Sequence, residues 1–128
     1  MALSDARPAL YALIVVRAAA GAALLLAPDA TLTMLAGASP DERARWFARV
    51  LGTRHLLQAI LLWRVPTTPA VRLGAAVDAV HAAASLGLLR DPRHRRLAQV
   101  NCLTACGFAI AGLAIASDTS GPAADRRT

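Results

Sequence analysis

The chain has 128 residues, a hydrophobic fraction of 56% and a formal net charge of +6, with a mean hydropathy of +0.47. One core in a domain this small cannot hide that much apolar surface, which excludes an ordinary soluble domain and calls on a lipid bilayer to take the excess. The charge does not signal nucleic acid: aromatics are only 4%, and the 14 basic residues, all arginine, are spread over loops, tails and apolar segments, so contact with anionic lipid head groups is the simpler reading.

Residues Ala9 to Ala27 predict a first helix, with Ser4 or Asp5 and Pro8 at its start and Pro28 closing it. Its length of about 28 Å matches a hydrocarbon core of roughly 30 Å. Asp5 offsets Arg7 ahead of it, so the segment reads as a retained membrane helix rather than a leader. Leu32, Met34 and Leu35, between Asp29 and Gly37, predict a short interfacial helix capped by Asp29 and ended by the glycine.

Ser39-Pro40-Asp41-Glu42 reads as a capping box with proline at the first helical position, and the second long helix runs from there to Arg64. Trp46 and Trp63 lie about 25 Å apart along it, the spacing of aromatic anchors at two membrane surfaces. Pro66 and Pro69 enclose a short connection, Thr68-Pro69 supplies the next cap, and the third helix extends from about Ala70 to Leu89. Asp91-Pro92 opens the fourth, whose first turns carry Arg93, His94, Arg95 and Arg96 and whose stretch from Leu97 to Ser117 has no charge at all.

These elements predict an all-α fold: a bundle of four transmembrane helices, up-down-up-down, with the interfacial helix between the first two. Residues 1–117 form that single membrane domain and residues 118–128 a disordered polar tail. The loops after helices one and three hold Arg43, Arg45, Arg90, Arg93, Arg95 and Arg96, so the positive-inside tendency turns the termini outward.

Charge deep in the spans marks the candidate site. Arg17, Arg54, His55, Asp78 and His81 all fall within about 3 Å of the bilayer centre when counted from the segment midpoints. Gly74, Asp78, His81 and Ser85 line one narrow face of the third helix, which must look onto protein or trapped water. Arginine stays charged, and Asp78 is the only carboxylate at that depth, so an ion pair with Arg17 or Arg54 is expected. Gly21, one turn after Arg17, gives space; Gln58, one turn after Arg54, gives a hydrogen-bonding neighbour. Two guanidiniums against one carboxylate leave a surplus positive charge, to be absorbed by an anionic ligand, by outward reach of Arg54 or by neutral histidines.

Other residues carry weaker signals. His55 and His81 at equal depth have the arrangement of a haem clamp, but two histidines also serve as simple hydrogen-bonding groups. Cys102 and Cys106 sit on one helical face, where a disulfide closes poorly, and read as small apolar packing residues before metal ligands or quinone-reactive thiols. Asn101 and Thr104 suit contacts between the fourth helix and its neighbours. Gly107 with Ala111, and Gly112 with Ala116, permit close helix contact within or between chains. No catalytic residue, metal site or cofactor is assigned, since no nucleophile triad, phosphate-binding glycine loop or zinc spacing is present.

Arg49-Val50-Leu51-Gly52-Thr53-Arg54, with Val77-Asp78-Ala79-Val80-His81, Arg17-Ala18-Ala19-Ala20-Gly21 and Leu26-Ala27-Pro28, resembles small four-helix membrane proteins of unknown function common in actinobacteria. The resemblance implies four spans in a bacterial inner membrane and no established activity. A looser similarity to DoxX-like proteins implies a link to redox or quinone metabolism. The first functional reading is an accessory or structural protein of the cytoplasmic membrane, partnered by lipid and by a membrane protein or a second copy. The alternative is a proton-coupled or small-anion carrier using Arg17, Arg54, Asp78 and His81, and the third a haem- or quinone-linked redox protein.

Overall fold

Proline and glycine punctuate the chain into α1 (Arg7–Leu26), α2 (Pro28–Ala36), α3 (Glu42–Arg64), α4 (Thr68–Leu88) and α5 (Arg95–Asp118), with no strand among the described residues. The structure is a computed structural model that describes residues 7–37 and 39–118, Leu88 by its backbone alone. The predicted tail therefore lies outside the described residues, except that Asp118 closes α5.

The helix ends follow the expected chemistry with shifts of one to four residues. Pro28 begins α2 instead of merely ending α1, and Asp29 lies in the first turn of α2 and is not its cap. There Asp29 accepts a 2.5 Å hydrogen bond from Arg45 of α3. Gly37 ends α2 in the left-handed region at φ 73°, its N–H bonded to the Thr33 carbonyl at 2.7 Å. Asp41, not Ser39, caps α3 by accepting from the Ala44 N–H at 2.7 Å, so Pro40 stands outside that helix. Thr67, not Thr68, caps α4. The last helix begins at Arg95 and not at Pro92, because the Asp91 carboxylate bonds the Arg93 N–H and the His94 ring and holds this stretch in turns.

The long helices associate in two close pairs, α1 with α3 and α4 with α5. Small residues make each approach possible. In the first pair Gly21 faces Gly52; in the second, a Cβ added to Gly112 would stand 3.1 Å from the Cβ of Ala75. Between pairs, α1 meets α5 and α3 meets α4 over fewer residues, while α1 and α4 share no Cα pair within 8 Å among the described residues. The helices thus run α1, α3, α4, α5 around a ring, and α1 and α4 are diagonal.

Long side chains fill the wider space between the pairs. At one end Leu10, Leu13, Leu62, Val71, Phe108 and Ile115 cluster; at the other, Leu24 and Leu32 meet Ala44 and Ala48. A polar layer lies between these apolar ends, with Arg17, His55 and Asp78 all buried. The outer surface is apolar instead: Tyr11, Val15, Val16, Leu26, Trp46, Leu57, Ile60, Trp63, Val80, Leu103 and Ile110 are all more than half exposed.

Of the four expected spans, α1 and α5 are long and apolar enough to cross a membrane by length and composition. Helix α3 carries Glu42 and five arginines, and α4 carries Arg72 and Asp78.

Candidate functional site

Asp78 sits in the middle of α4 with 0% exposure and accepts from two helices at once. Arg17 reaches it across the diagonal from α1: Nη2 pairs with Oδ2, and Nη1 stands 3.4 Å from Oδ1. Arg54 of α3 directs Nη2 at the same Oδ1. One carboxylate therefore bridges both halves of the molecule with fork geometry toward Arg17. The two arginines are not equivalent, since Arg17 is 1% exposed and Arg54 22%.

The expected pairing of Asp78 is thus present with both candidates, but the supporting roles differ from expectation. Gln58 serves Arg17 and not Arg54: its Oε1 accepts from Arg17 Nη1 at 2.8 Å. The space at Gly21 is taken by Gly52 and Leu56 of α3 instead of being left for Arg17. Gly74, first of the predicted polar stripe, has nothing within 4 Å of an added Cβ and takes no part.

His81 departs furthest from its predicted place. Its Nε2 lies 2.9 Å from Asn101 Nδ2 of α5, and it makes no hydrogen bond to Asp78. Asn101 Nδ2 also donates to Ser85 Oγ at 2.8 Å, and that hydroxyl donates to the His81 carbonyl at 2.9 Å. Asp78 has already committed its oxygens to guanidiniums, which leaves the imidazole to the amide opposite. His81, Ser85 and Asn101 are therefore a separate clip within the α4–α5 pair. Cys102 adds a long contact from Sγ to the Ala82 carbonyl at 3.7 Å; it and Cys106 are free thiols. Among the described residues Thr104 bonds its own helix, at Val100.

His55 is buried, with its ring centroid 5.1 Å from that of Phe108. Phe108 also lies under the Arg17 guanidinium, 4.3 Å from its carbon to the ring centroid, a cation–π contact in a dry setting. Sequence reasoning missed Phe108. The available signal was its position near the middle of the uncharged Leu97–Ser117 stretch, at the depth of the arginines.

Four polar atoms of this layer are buried without a hydrogen-bond partner: Arg17 Nε, Arg54 Nε, His55 Nδ1 and Gln58 Nε2. The two guanidiniums and one carboxylate sum to a surplus of one positive charge. A cleft of about 180 Å³, lined by Arg7, Leu10, Tyr11, Ile14, Leu62, Trp63 and Pro66, begins one helical turn away from Arg17 and Gln58.

A second charged cluster lies at the end holding the α2–α3 and α4–α5 connections. His94 Nδ1 contacts Asp91 Oδ2 at 2.7 Å, and its Nε2 stands 3.7 Å from Oδ2 of Asp41, the cap of α3. Hydrogen bonding to Asp91 and the charges of both acids raise the His94 pKa above 6.5. Asp41 is lowered first by the Ala44 N–H, and Asp91 first by His94.

No family model, curated protein or solved structure matches the chain. What the fold and site define is an all-helical protein with apolar flanks and one acid clamped between two arginines.

Proposed function

We propose that the protein is a small integral protein of the bacterial cytoplasmic membrane, a four-span up-down-up-down bundle acting as an accessory or structural component. The observation that carries this reading is the inverted placement of side chains. Large apolar residues face outward on every long helix, while Arg17, Asp78, His55 and Ser85 are buried. In water such a surface is a liability, and in lipid it is the required solvent-facing side. The loops rich in arginine face the cytoplasm and the termini face outward, in keeping with the positive-inside tendency. The likeness to small four-helix actinobacterial membrane proteins, carried by sequence motifs, agrees with this reading.

As a structural device, the Asp78 clamp joins two helix pairs that otherwise touch sparingly. Polar groups in lipid hold helices together because leaving them unpaired in hydrocarbon is costly. Membrane fractionation tests the reading. The protein is expected to stay with the membrane pellet through alkaline carbonate washing and to require detergent for extraction. An accessory role predicts co-purification with a membrane partner in mild detergent. A chain that stays soluble without detergent would sink the proposal. The carrier alternative draws on the surplus positive charge; it predicts proton or anion flux in liposomes that Asp78→Asn abolishes while leaving abundance and assembly intact.

A further inference from the structure

We infer that the Arg17–Arg54–Gln58 cluster is a binding site for one small monovalent anion. The inference supplies a ligand for the carrier alternative but rests on the buried charge cluster alone. It would stand even if the protein proved soluble.

Two independent observations point to this cluster. The first is charge: two guanidiniums meet one carboxylate, so the layer carries one positive charge more than its own residues neutralise. An uncompensated buried charge is costly and is ordinarily paired or ligated. The second is hydrogen bonding. Arg17 Nε, Arg54 Nε and Gln58 Nε2 are N–H donors, all buried and all unpartnered, and they belong to the residues that surround the surplus charge. Buried donors go unpaired rarely, and three in one layer point to an acceptor supplied from outside the chain.

The stoichiometry follows from the charge. One negative charge neutralises the layer, whereas sulfate or a phosphate dianion would overshoot it. Arg54 and Gln58 are one turn apart on α3 and present donors on the same face, and Arg54 is the member that keeps some exposure. The negative charge of Asp78 is already counted in this balance, and both of its oxygens accept from the guanidiniums.

The test uses the full chain, folded and purified, with chloride as the probe and gluconate replacing it at constant ionic strength. Equilibrium dialysis with labelled chloride is expected to saturate at one ion per chain. The melting temperature is expected to rise with chloride over the same concentration range, by linkage. Arg54→Gln leaves a neutral Arg17–Asp78 pair and is expected to abolish both effects. Gln58→Leu, which keeps the charge and removes one donor, is expected to weaken binding at least about threefold, the value of one ordinary hydrogen bond. Arg64→Gln, at the end of α3, should bind as the unaltered chain does. Absence of saturable chloride binding by the folded chain, or unchanged binding in both Arg54→Gln and Gln58→Leu, would overturn the inference.

Discussion

Gly21 and Gly52 face each other across α1 and α3 so closely that a Cβ on either would collide with the other's carbonyl oxygen, at 2.8 Å from Gly21 and 2.7 Å from Gly52. A Cβ on Gly52 would also stand 3.0 Å from the Leu25 backbone nitrogen, so the obstacle is backbone that no rotamer change can move. This contact sets how near α1 lies to α3, and with it the position from which Arg17 crosses to Asp78.

Gly52→Ala should therefore push the pair apart and destabilise the protein by about 1–3 kcal/mol, the usual cost of overpacking. Gly74→Ala, whose new methyl meets nothing within 4 Å, should be neutral or stabilising by up to about 1 kcal/mol. Thermal unfolding of both variants in the same detergent checks the contrast; equal losses would mean that the α1–α3 approach is not tight.

On the structural reading, replacing Asp78 by Asn strands two guanidiniums in the interior and should cost about 3–5 kcal/mol. Arg17→Gln should be milder because Arg54 still pairs with the acid, and Arg54→Gln mildest, since Arg54 is 22% exposed and its removal leaves a balanced pair. The order Asp78, Arg17, Arg54 in loss of melting temperature is the expected outcome.

The α4–α5 clip should act independently of the arginine clamp. Asn101→Ala removes the donor to Ser85 Oγ and the partner of His81 Nε2 and should cost about 1–3 kcal/mol. His81→Asn should leave the response to Asp78→Asn unchanged, because the clip and the arginine clamp share no hydrogen bond. A double-mutant cycle between His81 and Asp78 with strong coupling would contradict the separation.

At the loop end, stability should fall as pH rises through the His94 transition. The folded pKa of His94 lies above 6.5, so its contribution is fully present below pH 6.5 and is lost as pH climbs through the raised value. Asp41 and Asp91 act oppositely. Their folded pKa values lie below 3.8, so they contribute above that pH and lose the contribution as it drops through the lowered values. His94→Ala should flatten the alkaline limb of a melting-temperature profile and leave the Asp78 response untouched.

The helices were legible from local pattern. Proline and glycine positions, apolar runs and capping residues marked all five helices to within a few residues, since these signals act over one or two turns. That Arg17, Arg54 and Asp78 meet at one level of the bundle was legible too, because level is a count along a helix. Less legible was the outward surface of α3 and α4, whose charges lower hydropathy regardless of direction.

From the sequence alone came an all-helical chain, a polar layer at its middle and the need for Asp78 to meet an arginine, because helix periodicity and the cost of buried charge are local facts. Tertiary structure alone decided that Gln58 serves Arg17, that His81 turns to Asn101, and that Phe108 lies under the Arg17 guanidinium. These partners belong to different helices, and which side chain reaches which depends on interhelix distance. That distance is set by the Gly21–Gly52 and Ala75–Gly112 contacts and by the competition of donors for two carboxylate oxygens.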